Sequence, residues 1–204
     1  MTTAVLLLTG VGASFLFLAV LFMEGALRPG YSATYHTGSE LELGLRGWIQ
    51  RTSFLVMAGG MFAFAVGVDR ALDARAGALL LAIFAVGMVA AGLFPPDAVR
   101  GYPPGAPTEA VDKPTWRHQA HHVISGPVAF FALMAACLVL AGQLQGAWRW
   151  YTVLTAVAGL AMTVWTAVSY QRDAAYTGLV QRGLIVIYWS WIVVIGLRLA
   201  LTSS

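Results

Sequence analysis

Apolar residues run along this chain in six long blocks separated by short polar stretches. The blocks cover residues 4–27, 48–68, 76–93, 122–142, 150–170 and 179–201. A helix needs about 20 predominantly apolar residues to cross the hydrocarbon core of a bilayer. In lipid a helix satisfies its own backbone hydrogen bonds, which an open strand does not. The pattern therefore predicts an all-α fold: an integral membrane bundle of six transmembrane helices, up-and-down, forming one domain over 1–204. Residues 69–75 and 143–149 are short connections, which favour antiparallel neighbours. The first block has no basic leader and no cleavage-like site, so it reads as a retained span rather than a signal peptide. No internal repeat is visible, which argues against a transporter built from duplicated halves. Gly59, Ala63 and Gly67 recur every four residues in the second block, as do Gly87 and Ala91 in the third. In lipid such spacing lets helix backbones approach closely.

Composition agrees. Of 204 residues, 59% are apolar and 10% charged, against roughly 25% charged in an ordinary soluble domain. The net charge is only +3 and the basic residues are scattered, so there is no nucleic-acid footprint. The lone cysteine, Cys137, excludes an intrachain disulfide and a cysteine-based zinc site. The only lysine, Lys113, lies in a Pro-rich loop, which excludes a retinal-type Schiff base within a span.

The charges divide unequally between the two faces that six spans imply. Loops one, three and five carry seven of the nine carboxylates, eight of the twelve cations and all four histidines. The other face keeps Asp69, Arg70, Asp73, Arg75, Arg149 and Arg198, an ordinary interfacial set. A raw Arg/Lys count puts the rich face in the cytoplasm. Counting only the short loops, the more informative measure, reverses this. The second count predicts cytoplasmic termini and an outward-facing polar site.

On the rich face, Ser39 and Glu42 have the S-x-x-E spacing of a capping box, leaving Glu40 as the freer carboxylate. Glu42, Arg46 and Gln50 are spaced by four and would form one polar stripe on a helix. Arg46 or Arg51 can grip an anionic head group in bidentate fashion. Glu24 stands four residues before Arg28, the spacing of an ion pair; in low dielectric it is alternatively a proton donor. Pro95 and Pro96 stop the third span and leave Asp97 at the bundle mouth, as a cap or as a functional acid.

Thr115 can cap the fourth span, which puts His118, His122 and Ser125 on one helix face beside His121. The spacing H-x-x-x-H suits two ligands on one metal. His36 and Asp97 would complete a divalent-metal site with His118 and His122. The competing reading has these histidines hydrogen-bonding head groups and water, with no cofactor. Around the last loop stand Asp173, Gln181 and Arg182. Trp165, Tyr188 and Trp189 lie deeper than an interfacial aromatic belt requires. They either line an apolar pocket or face lipid.

Several of these stretches together resemble the domain-of-unknown-function 998 family of six-span, mostly bacterial membrane proteins. They are Ser39-Glu-Leu-x-Leu-Gly-x-x-Gly-Trp48, Gly92-x-Phe-Pro-x-Asp97, the histidine at the head of span four, and Gly178-Leu-x-Gln-Arg182. The resemblance covers nearly the whole chain. His36, His118 and the Pro-rich insert 101–114 depart from the family pattern, which leaves a metal site without support from it. The resemblance implies the fold and a bacterial cytoplasmic membrane as its location, and no activity.

Three functions fit the residues. The first is a membrane-embedded enzyme acting on a lipid or isoprenoid, by prenyl-chain cyclisation or isomerisation or by head-group hydrolysis. In it Glu40 or Asp97 is the acid, His122 the base, His118 and Asp173 complete the cluster, and Arg46, Gln181 and Arg182 bind the substrate beside Trp165, Tyr188 and Trp189. The second is a non-catalytic lipid- or ligand-binding sensor or accessory protein. The third, a proton-coupled transporter, lacks a charge at mid-span. Membrane lipids are the expected partners in each, and nothing in the sequence sets an oligomeric state.

Overall fold

The computed structural model describes residues 1–108, 115–116 and 121–203, the side chains of 121–124 excepted. Six α-helices follow in chain order: α1 (Thr3–Leu27), α2 (Gly47–Leu72), α3 (Arg75–Leu93), α4 (Ala129–Ala141), α5 (Ala147–Gln171) and α6 (Thr177–Thr202). A 3₁₀ turn at Gly38–Glu42 precedes α2, and a π-helical stretch at His121–Val128 leads into α4. Among the described residues there is no strand. Helices α1, α2, α3, α5 and α6 are each long and apolar enough to cross a membrane, while the apolar stretch Ser125–Ala141 is shorter. The protein is thus a helical membrane bundle of five candidate spans and one shorter apolar helix. The fourth block differs from a uniform helix over 122–142 because Pro127 removes one backbone donor and its ring crowds the preceding turn. The wider π turns absorb that disturbance.

Each helix packs on the next in sequence, and α6 returns to pack on α1, closing a ring. Phe17, Phe64, Phe84, Tyr188, Trp189 and Trp191 fill the interior and are almost fully buried. Phe15, Phe22, Leu79, Leu154 and Val164 point outward. Helices apolar on both faces are what a bilayer selects. Several polar side chains within the spans are satisfied locally. On α5 the hydroxyls of Thr155, Thr163 and Thr166 return to carbonyls four residues back. Trp191 Nε1 donates to Thr152 Oγ1 at 3.0 Å and ties α6 to α5.

The close approach of α1 and α2 uses Gly60 and Gly67. A methyl group at Gly60 would fall on Ala13, and one at Gly67 on Leu7. Gly59 turns outward and meets nothing within 4 Å. The seam therefore keeps Gly67 of the predicted set but uses Gly60 in place of Gly59, a spacing of seven residues rather than four. Gly60→Val is expected to destabilise the protein by about 1–3 kcal/mol through overpacking. Gly59→Val is expected to stay within about 0.5 kcal/mol of wild type. Unfolding of both variants in detergent micelles checks the pair; equal losses would refute the assignment of the seam.

Candidate functional site

The end of α1, the start of α2, loop three and the start of α6 converge at one end of the bundle. The polypeptide between α1 and α2 lies across that end and is held at two points. The first is the N-terminus of α6. The opening amides of a helix have no partner inside it. Here Gly178 N–H donates to the Tyr35 carbonyl at 3.1 Å and Leu179 N–H to the Thr34 carbonyl at 3.0 Å. A side chain at Gly178 would overlap the carbonyl oxygen of His36, so only glycine allows this approach. One turn later the buried Arg182 reaches back. Its Nη1 donates to the carbonyls of Ala33 (2.6 Å), His36 (3.0 Å) and Gly178 (3.0 Å), and its Nη2 to the Tyr31 hydroxyl (2.6 Å). Burial pushes the Tyr31 hydroxyl up to about 12. It stays protonated and points that proton at the carbonyls of His36 and Thr37.

The second point is a three-membered ion cluster, buried at Glu24 and Arg28 and exposed at Arg46. Arg28 Nε donates to Glu24 Oε2 at 2.6 Å, and Arg46 Nη2 contacts Glu24 Oε1. Arg28 also donates to the carbonyls of Leu43 and Arg46 and to the Tyr102 hydroxyl. The expected Glu24–Arg28 pair is present. The expected Glu42–Arg46–Gln50 stripe is not, because α2 begins only at Gly47, after Arg46.

Between these points lies Glu40. The Thr37 N–H and hydroxyl both donate to Glu40 Oε2, at 2.5 and 2.9 Å. The capping pair of the 3₁₀ turn is thus Thr37 with Glu40, not Ser39 with Glu42. Glu40 Oε1 is buried and accepts no hydrogen bond. Arg100 Nη1 stands 3.9 Å from Glu40 Oε2. Arg100 also donates from Nε to Asp173 Oδ1 at 3.1 Å and lies 3.9 Å over the Tyr35 ring. Asp173, exposed on its outer side, accepts the Tyr35 hydroxyl as well, at 2.6 Å. His36 is buried; its Nδ1 accepts the Ser32 N–H at 2.9 Å, so its Nε2 carries the proton donated to the Arg100 carbonyl at 3.0 Å.

Below this polar layer is a partly enclosed cavity of about 60 Å³. Phe17, Phe54, Met88, Ala91, Phe130, Ile185 and Trp189 form its apolar wall, and Gly38, Ser39, Ser125, Gly126 and Gln181 its polar edge. Gln181 is fixed there by accepting the Gly38 N–H on Oε1 at 2.7 Å.

Of the residues singled out from sequence, the structure brings Glu40, Asp173, Arg46, Gln181 and Arg182 to this end of the bundle. Trp189 lines the cavity. Tyr188 is buried beside it, stacked on Phe130 at 6.1 Å between ring centroids. Trp165 is half exposed on the outer side of α5, against Tyr176. Asp97 accepts the Thr115 N–H and hydroxyl at 2.9 and 2.7 Å, so it caps Thr115 in a groove beside Pro95 and Pro96. His118 lies outside the described residues, as do the side chains of His121 and His122. Among the described residues no three groups are placed to hold a metal. Using His36 as a ligand through either nitrogen would break one of its two hydrogen bonds. Sequence reasoning missed Arg100, Tyr31 and Tyr35, whose partners lie far away along the chain, and the cavity wall from α1 to α3.

Burial raises the carboxyl of Glu40, against the opposing effects of the Thr37 hydrogen bonds and Arg100. Burial raises Glu42 well above its ordinary value, opposed by Arg51. Both groups therefore bind protons more tightly in the folded than in the unfolded protein. From pH 4.5, their ordinary value, stability falls as pH rises through the raised values and then levels off. Glu42→Gln is expected to flatten this slope more than Glu40→Gln does, as measured by unfolding at stepped pH. An unchanged slope in both variants would contradict the burial of these carboxyls.

Among curated proteins and among solved structures no match is found. The sequence does match, over residues 11–198, the family described as protein of unknown function DUF998. With that match spanning nearly the whole chain, the chain belongs to the DUF998 family.

Proposed function

We propose that this protein is a six-span, lipid-binding membrane protein that takes the apolar chain of a membrane lipid into the cavity below loop one. In this reading α4 and its π-helical lead-in form the sixth span. The termini are cytoplasmic and the polar end faces away from the cytoplasm, following the short-loop cations Arg70, Arg75 and Arg149. The observation that carries the reading is the cavity's composition: an aromatic and aliphatic wall with Ser39 and Gln181 at its edge. Larger ligand pockets use apolar walls for contact and a few fixed polar groups for orientation, and a cavity of about 60 Å³ offers the same lining to the end of a chain. Within a bilayer a chain gains little by leaving other chains, so close packing and the polar edge supply the selectivity.

A second reading is acid–base chemistry on a lipid head group, and one observation favours it. Glu40 keeps a buried carboxyl oxygen without a hydrogen bond while burial raises its pKa, the combination that suits a proton donor. Turnover of a lipid by the purified protein separates this reading from binding alone.

Ala91 is almost fully buried and lines the cavity, so Ala91→Phe fills it. Mass spectrometry of lipid extracted from purified protein is expected to show about tenfold less bound lipid in this variant, the effect of roughly 1.4 kcal/mol of lost binding. Undiminished lipid in folded Ala91→Phe would refute the cavity as the binding site.

A further inference from the structure

We infer that Arg46 holds the phosphate head group of an anionic membrane lipid at the rim of the bundle, in a site separate from the cavity. In the cluster of Glu24, Arg28 and Arg46, one carboxylate faces two guanidiniums. Both oxygens of Glu24 are used, Oε2 by Arg28 and Oε1 by Arg46. All three nitrogens of Arg28 are used as well, on Glu24, on the carbonyls of Leu43 and Arg46 and on the Tyr102 hydroxyl. Glu24 and Arg28 are thus closed to a ligand. Arg46 is not. Its contact with Glu24 takes Nη2 alone, and among the described residues its Nε and Nη1 meet no acceptor. Its side chain is 49% exposed, so these donors are open to the surroundings. The cluster therefore carries one uncompensated positive charge, on the member whose guanidinium keeps a free edge. Such an edge is planar and matches two phosphate oxygens at once.

The neighbours of that edge identify the source of the phosphate. Leu45 is fully exposed, and Trp48, in the first turn of α2, is largely exposed. Met23 and Leu27 turn outward at the end of α1 that carries Glu24. At the end of a membrane span, exposed apolar side chains lie in lipid and a tryptophan marks the head-group level. Arg46 stands between Leu45 and Trp48 in the chain, which sets its charge at the depth of the lipid phosphates. Hydrocarbon nearby lowers the effective dielectric and strengthens the attraction beyond its value in water. A net-anionic head group is preferred to a zwitterionic one, which brings its own cation. Of the two arginines that the sequence offered for this role, Arg51 has its Nε buried in the protein. None of the three cluster residues lines the cavity, so the site stands whether or not the cavity takes up a chain.

Native mass spectrometry of the full-length protein in detergent tests the site, with dioleoyl phosphatidylglycerol or dioleoyl phosphatidylcholine added at equal concentration. The two lipids share their chains, so the cavity treats them alike and their ratio reads the head group. The wild type is expected to retain the glycerol lipid about tenfold more than the choline lipid, the effect of one charge-assisted contact. Arg46→Gln leaves the Glu24–Arg28 pair in place and is expected to bring the two lipids to within about twofold of each other. Arg70→Gln removes the same charge from the last turn of α2, at the opposite end, and is expected to keep the wild-type ratio. Equal retention of both lipids by the wild type overturns the inference and leaves the cavity reading standing. So does an undiminished preference in Arg46→Gln. An equal loss in Arg70→Gln traces the preference to net charge and overturns the site. Displacement of the glycerol lipid by millimolar inorganic phosphate makes this a site for free phosphate and overturns the lipid. Retention of neither lipid overturns this site and the cavity reading together. The wild-type comparison needs no variant and decides the matter even if Arg46→Gln fails to fold.

Discussion

A guanidinium placed in the interior has N–H donors to satisfy, and Arg182 turns both of its terminal nitrogens to another part of the chain, while its Nε has no hydrogen-bond partner. It gathers the carbonyls of Ala33 and His36 and the hydroxyl of Tyr31 around the first turns of α6. The amides of Gly178 and Leu179 complete the contact by donating to Tyr35 and Thr34. Helix α6 thereby obtains the capping that its sequence lacks, since Tyr176 at its N-cap makes no side-chain hydrogen bond. The polar segment between α1 and α2 obtains a fixed course across the bundle end. Each satisfies unpaired groups of the other.

The remaining polar architecture follows from that dock. Holding residues 31–37 against α6 places Thr37 where it caps Glu40 and places Gly38 over Gln181. Ser39 then lies at the edge of the cavity, and Glu40 faces Arg100 from loop three. The Glu24–Arg28–Arg46 cluster fixes the other end of the segment. One small, mostly apolar cavity is thus roofed by a polar layer in which the carboxylates serve as structural partners. This is why binding is better supported than catalysis. Asp173 is engaged by Tyr35 and Arg100, and Asp97 by Thr115.

The five long helices were legible because lipid demands long uninterrupted apolar runs, and such a demand is written locally; the fourth block is a shorter apolar helix behind Pro127. The Glu24–Arg28 pair was legible for the same reason, lying one helical turn apart. The capping assignment was not. Thr37 and Ser39 both precede a glutamate by three residues, and the choice between them depends on where the docked segment begins to turn. Arg46 has Glu42 near it in sequence but pairs with Glu24, because the helix that would align the nearer residues starts after it. Arg100 gave no local signal at all; its partners Glu40 and Asp173 lie 60 and 73 residues away. Trp165 and Trp189 have similar surroundings in sequence, and only the ring closure of α6 on α1 decides which of them turns inward.

Hydrogen exchange at the backbone amides of Gly178 and Leu179 probes the dock directly. These positions belong to the first turn of α6, where no carbonyl of the same helix is in reach. If loop one supplies their acceptors, both amides exchange slowly, together with the core of the bundle. Fast exchange at both, beside slow exchange one turn further along α6, would mean that loop one is not seated there and that the roof over the cavity does not exist.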